Sequence, residues 1–190
     1  MTKPLSFATP AELRRWFAKN HATAPELWLR FFKKDSGVAT VTYAEALDEA
    51  LCYGWIDAIT KSYDAKSWVQ RFCRRSARSR WSKINVQHVG RLTRAGKMAE
   101  PGRAAVNAAK KDGRWEAAYD SPSTAVVPKE FLAVLKKSKK AHAFFKTLDR
   151  VNLYAITYRI QTSKKAQTRD RWILRIVEML ENGKVFHPKK

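Results

Sequence analysis

This sequence is short of acid relative to base. Seventeen Asp and Glu stand against 38 Lys and Arg in 190 residues, a formal net charge of +21. Between Ala65 and Ala99 there is no carboxylate at all, while ten Lys and Arg occur. Cations in such a stretch have no neighbouring acid to pair with, so they face water or an anionic partner. Cysteine is scarce too: Cys52 and Cys73 are the only two, both in strongly patterned segments where a small buried hydrophobe is the expected role. Seven Gly and seven Pro are too few for a low-complexity chain. No apolar run long enough for a membrane-spanning helix is present. Glu12, Arg14, Arg15 and Lys19 break up the first twenty residues, which leaves no apolar signal core. A cytoplasmic, reduced protein is the expectation.

Catalytic signatures are missing as well. His21, His88, His142 and His187 are scattered, with no HExxH and no metal-ligand spacing to either cysteine, so no metal site is expected. Gly90 to Lys97 (GRLTRAGK) superficially matches a phosphate loop, yet five residues separate its glycines, Met98 replaces the magnesium-binding hydroxyl, and a helix precedes it. A helix C-cap at Gly96 explains it better. GxGxxG and GxSxG are absent, and no cofactor is expected. His88 falls on a helix stripe and reads as a hydrogen-bonded packing residue.

What is present is enough apolar material to fold: 45% of the residues are hydrophobic, with seven Trp, nine Phe and six Tyr. Charge is unevenly spread. Residues 1–60 carry seven basic and seven acidic side chains, and the whole excess lies after them. Thr9-Pro10-Ala11-Glu12 opens a helix to about Asn20, and Thr42-Tyr43-Ala44-Glu45 opens a second that Gly54 ends. In that second helix Tyr43, Ala46, Leu47, Ala50 and Leu51 form the apolar stripe, with Glu45, Asp48 and Glu49 opposite. Glu26 to Lys33 alternates, Leu27, Leu29 and Phe31 on one face and Trp28, Arg30 and Phe32 on the other, as a strand does. Val38 to Val41 reads as a short second strand. Trp55 to Lys61 and Ser67 to Arg74 read as a hairpin turning near Tyr63-Asp64. Ile84, His88, Leu92 and Ala95 mark a further helix, Pro101 to Lys111 an alanine-rich one, and the chain from Pro128 is patterned as helices throughout. The fold class expected is α+β: a small antiparallel sheet packed by helices over residues 1–120, then an all-helical C-terminal module over 121–190, with Asp120-Ser121-Pro122-Ser123 as linker.

The chemistry concentrates in Arg71 to Asn85. Arg71, Arg74, Arg75, Arg78 and Arg80 offer planar forks suited to phosphate or carboxylate, Trp81 a ring face, and Ser79, Ser82 and Asn85 short neutral hydrogen-bonding groups. Asp57 completes the candidate site. One reading has it orient an arginine of the cluster while the rest meet an anion; the other has it pair with Arg74 or Arg75 to pin the sheet to the next helix, with Trp55, Trp68 and Trp81 as core. A secondary basic patch comprises Lys97, Lys136, Lys137, Lys139, Lys140, Arg169, Arg171 and Arg175.

Gly54-Trp55-Ile56-Asp57, the pattern RF-x-RR-x3-S-x-WS-x2-N over Arg71 to Asn85, and the tail from Lys165 to Ile173 with Leu180 and Gly183 resemble the YdeI/OmpD-associated, or bacteriocin-protection, family. Cys73 and Ala58 depart from its usual proline and glycine. The resemblance implies a YjbR/CyaY-like N-terminal domain and a role in protection against bacteriocins or antimicrobial peptides. Two functions follow as expectations. The first is a non-enzymatic stress-protection protein that binds polyanions, nucleic acid above all, through the arginine segment. The second is a protection factor that binds an anionic protein, lipid head group or metabolite at Asp57, Arg74, Arg75 and Trp81. An enzyme using Asp57 as base is disfavoured, because many adjacent arginines would depress its pKa. The oligomeric state stays open.

Overall fold

A computed structural model of the chain describes residues 3–188. It divides into two compact units: the chain up to Trp81 together with Asn85–Glu116, and Ser82–Ile84 together with the chain from Ala117 on.

The first unit is α+β. Helix α1 (Pro10–Asn20) starts as its sequence dictates, with the Glu12 amide donating to Thr9 Oγ1 and proline in the first turn. Strand β1 (Glu26–Phe32) follows, then α2 (Tyr43–Cys52), whose capping box is complete: Thr42 N–H donates to Glu45 Oε2 at 2.8 Å and Glu45 N–H returns to Thr42 Oγ1. Strands β2 (Trp55–Asp64) and β3 (Ser67–Arg74) form the hairpin, and the sheet order is β1-β3-β2, antiparallel throughout. Helices α3 (Lys83–Arg94) and α4 (Glu100–Lys111) complete the element list of this part of the chain.

Alternation divides the sheet cleanly. Leu27, Leu29, Phe31, Phe72 and Trp55 lie on one face with α1 and α2 over it, where Phe17 meets the Trp55 ring edge-on at 5.4 Å. Trp55, Phe72 and Leu29 are fully buried there. Gly54 has φ +73, the left-handed conformation that ends α2 without steric cost.

Four local expectations are corrected. Val38–Val41 is not a strand: its amide partner, Val41 N–H to the Phe7 carbonyl, is a single contact rather than a ladder. The buried stripe of α3 is Asn85, Val89 and Leu92, one residue round from Ile84 and His88, and Ile84 is exposed. Glu49 sits among the buried residues of α2 rather than on its wet side, because Arg14 reaches it at 3.0 Å. The supposed linker is folded: Ser121 is buried, and its hydroxyl bonds those of Ser123 and Thr124.

The second unit contains α5 (Lys129–Leu135), α6 (Lys139–Phe145), α7 (Arg150–Gln161) and α8 (Ala166–Glu181). Phe131, Leu135, Ala141, Ile156, Ile160, Ile173, Ile176 and Leu180 form its core. Among the described residues no helix is long and apolar enough to cross a membrane.

Candidate functional site

Strand geometry decides what the arginine-rich segment can do. Residues three apart in a strand face opposite sides, so Arg71 and Arg74 separate. Arg71 pairs across from Trp28 on the outer face, and Arg74 across from Trp55 on the helix-covered face. There Arg74 Nη1 donates to the Ala22 carbonyl at 3.0 Å. Arg75, just past the strand, lays its guanidinium 3.5 Å from the centroid of Trp81 and donates Nη1 to the Arg80 carbonyl. Trp81 itself is buried, edge-on to Trp115 at 4.9 Å. Arg75 and Trp81 brace the loop that follows β3, while Arg74 ties the end of the strand to the segment after α1.

The loop has a second brace that the sequence reading missed. Arg114, 8% exposed, donates Nη1 to the carbonyls of Ser79 and Ser76 and Nε to the Asp112 carboxylate at 2.8 Å. Ser79 Oγ accepts from the Ser76 amide, closing the turn. Arg78 and Arg80 are left exposed on this turn. Asn85 is buried in α3, and Ser82 belongs to the second unit, bridged to Tyr119. Among the described residues Asp57 holds no arginine: its Oδ2 accepts the Tyr43 hydroxyl at 2.8 Å, so neither an orienting contact to the cluster nor a pair with Arg74 or Arg75 is formed. The ten residues are therefore distributed over two sheet faces, one turn and two units rather than one pocket.

What the structure assembles instead is the outer face of the sheet. Arg30 is centred there. Its Nη2 meets Asp64 at 2.6 Å, its Nε donates to Ser67 Oγ, and its guanidinium lies 4.3 Å from the Phe32 centroid and 4.7 Å from that of Tyr63. Lys61 stands 5.4 Å over Trp28, and Arg71 Nε lies 3.0 Å from Glu26. The Ser67 hydroxyl, with the Lys66 amide and Arg30, holds the Asp64 carboxyl below its ordinary range. Tyr63 is 48% exposed, and β2 from Ala58 outward is solvent-facing. Cations and rings thus alternate across this face, with Trp28 buried within it and Tyr63 its exposed ring. The signal was in the sequence: alternation had already put Trp28, Arg30 and Phe32 on one side of β1.

A polar cluster around the buried Glu49 joins α1, α2 and α3, with Arg91 exposed at its edge. Arg91 Nη2 donates to both Asp48 oxygens, His88 Nδ1 lies 2.9 Å from Asp48, and Arg14 bridges Glu49 to the Lys97 carbonyl. Burial pushes the Glu49 carboxyl above its ordinary range, with Arg14 opposing. Burial likewise pushes the neighbouring Cys52 thiol up to about 11, which leaves it an inert thiol at neutral pH. Among the described residues no three His, Cys, Asp or Glu side chains converge as metal ligands would.

Of the secondary patch, Lys97 belongs to the first unit and the others to the second. Lys136, Lys137, Lys139 and Lys140 are exposed around the Ser138 cap of α6. Arg171 and Arg175 are exposed on α8, Arg175 5.4 Å over Trp172, while Arg169 is half-buried and lines a cleft.

Residues 5–105 match the family described as a domain of unknown function (DUF8412). Residues 124–183 match the family described as bacteriocin-protection, YdeI or OmpD-associated. The resemblance seen in the sequence is thereby supported for the tail, whereas the Gly54–Asp57 and Arg71–Asn85 blocks fall in the stretch the other family covers. No curated protein and no solved structure matches the chain.

Proposed function

From a chain that belongs to the DUF8412 family over more than half its length, we propose a function read from its surface: it binds polyanions, and the polyanion is nucleic acid. The observation that carries this is the outer sheet face, where Arg30, Lys61 and Arg71 stand among the half-buried Phe32, the exposed Tyr63 and a Trp28 that is buried under Lys61. Nucleic acid offers such a face both partners it needs, phosphate for the cations and base for an exposed ring such as Tyr63. Charge supports it. With 38 cations and 17 acids, no arrangement of one-to-one ion pairs neutralises the surface. Arg78 and Arg80 add exposed guanidiniums on the turn that follows β3.

Anisotropy titration of a labelled 20-nucleotide single strand and of its duplex tests the proposal. Binding at 50 mM salt is expected, weakening with a log–log slope of roughly −5 to −7 on duplex if about six to eight phosphates are engaged. The triple variant Arg30→Gln/Lys61→Gln/Arg71→Gln lowers the slope by about 2 to 3. No retention of either form at 50 mM salt removes the proposal.

The match of residues 124–183 favours a second reading, a bacteriocin- or antimicrobial-peptide protection factor. Its anionic partner would be a protein, lipid head group or metabolite taken at Asp57, Arg74, Arg75 and Trp81. Arg74 and Arg75 already donate to the carbonyls of Ala22 and Arg80, so a ligand there has to compete with those bonds. An Arg74→Ala/Arg75→Ala variant separates the readings: it spares nucleic-acid affinity under the first and abolishes protection under the second.

A further inference from the structure

The second unit contains an open cleft of about 480 Å³ that no sequence motif indicates. Its floor is locked by hydrogen bonds. Lys83 Nζ meets Asp120 Oδ1 at 2.6 Å, Gln161 Nε2 donates to Asp120 Oδ2 at 2.7 Å, and the Tyr154 hydroxyl donates to the Asp120 carbonyl. The Tyr119 ring, also in the lining, is fixed edge-on to Tyr158 at 5.0 Å. One wall is apolar, Val126, Val127 and Pro128, and Val126 is 73% exposed. Lys129 and Arg169 line it too, and neither has an ion-pair partner among the described residues.

The sign of the ligand follows from the lining. Asp120 is matched by Lys83, so Lys129 and Arg169 face only Glu130 as a remaining acid. A cation would meet this excess unfavourably. A polyanion fits no better, because Asp120 and Glu130 would repel its second and third charges, whereas a single negative group can sit on Arg169 away from them. The exposed Val126 side chain, beside a half-buried Val127, calls for an apolar body behind that group. We propose that the cleft binds an amphipathic monoanion, a carboxylate or sulfonate with its charge on Arg169 and Lys129 and its apolar body against Val126, Val127 and the Tyr119 ring. This site is separate from the outer sheet face and does not depend on nucleic-acid binding.

Titration with anilinonaphthalene sulfonate, an aromatic monoanion that brightens in apolar surroundings, tests the proposal on the full chain. Saturable binding is expected, weakened about tenfold by Arg169→Gln, the worth of one charge-assisted contact, and weakened also by Val126→Ser. Arg175→Gln, on the same helix but outside the cleft, leaves it unchanged. Decanoate displaces the probe, and inorganic phosphate at equal concentration does not. All three side chains reach the surface, and circular dichroism of each variant verifies folding. Equal loss with Arg175→Gln, no loss with Arg169→Gln or Val126→Ser, displacement by phosphate, or binding that never saturates would each overturn the assignment. Nucleic-acid affinity measured on Arg169→Gln and Val126→Ser changes by less than about twofold if the two sites are distinct.

Discussion

Glu49 and Asp120 show how differently one charged neighbour acts in two settings. Arg14 lies 3.0 Å from Glu49, yet burial dominates and the carboxyl sits above its ordinary 4.5. Lys83 lies 2.6 Å from Asp120, and there its hydrogen bond dominates, with Gln161 adding to it, so the carboxyl sits below its ordinary 3.8. The linkage signs are opposite. Asp120 contributes stability that is full above 3.8 and is lost as pH falls through its lower folded value. Glu49 carries a penalty absent below 4.5, which sets in as pH rises through its raised folded value. Carboxyl-carbon NMR titration is expected to find Asp120 with a midpoint below that of a free aspartate and Glu49 with one above that of a free glutamate. Lys83→Met should move the Asp120 midpoint up and leave Glu49 in place. An Asp120 midpoint indifferent to Lys83→Met would show that Gln161 alone holds the carboxylate.

At the level of elements, two glycines join α2 to α4. A side chain on Gly54 would come 2.8 Å from the Pro101 carbonyl oxygen, and one on Gly102 would lie 2.7 Å from the Cys52 carbonyl carbon and closer still to its oxygen. The Ala99 amide donates to that same Cys52 carbonyl, so the end of α2 is held against the start of α4 by backbone atoms that have little room to retreat. Gly102→Ala is therefore expected to destabilise by about 1–3 kcal/mol through overpacking, against a helix-propensity gain of roughly 1 kcal/mol. Gly90→Ala in α3 makes the contrast: its new methyl would meet only the Arg94 side chain at 3.7 Å, so propensity acts alone and stability rises by up to about 1 kcal/mol. Urea midpoints of opposite sign test the pair, and a stabilised Gly102→Ala would contradict the close approach. Gly54 as a helix stop was legible from sequence, since a left-handed cap follows from local chemistry. Gly102 was not, because what forbids a side chain there is the end of a helix fifty residues earlier. The same distinction explains the candidate site. Alternation revealed which side of β1 carries Arg30, but density in sequence made Arg71 to Arg80 look like one site, when extended backbone sends Arg71 and Arg74 to opposite faces. Arg114 and Asp120 were invisible for the reason Gly102 was: their roles are set by partners distant in the chain, Ser79 and Lys83.

For the molecule as a whole, the charge works against folding. Ion pairs tie Arg14, Arg30, Arg71, Lys83, Arg91 and Arg114 to acids, but a net +21 leaves a surplus of cations that no acid can pair, and their mutual repulsion opposes folding. Paired charges are worth at most about 1 kcal/mol each when exposed, and salt weakens them. Self-repulsion is longer in range, and the same salt weakens it more as the Debye length shrinks to about 10 Å at 0.1 M. Repulsion should therefore win the comparison, and the thermal midpoint should rise as NaCl goes from about 10 mM to 200 mM, the reverse of a fold held by surface ion pairs. A short polyphosphate at matched ionic strength should raise it further, because a bound polyanion stabilises the native state by mass action on top of screening. Calorimetry in the two salts separates the effects: a rise with NaCl alone is screening of a surplus without a bound partner, and a larger rise with polyphosphate, diminished in Arg30→Gln/Lys61→Gln/Arg71→Gln, locates the partner on the outer face of the sheet. A midpoint that falls with NaCl would mean that the six pairs outweigh the unpaired surplus, and the surface would then be a network rather than an anion trap.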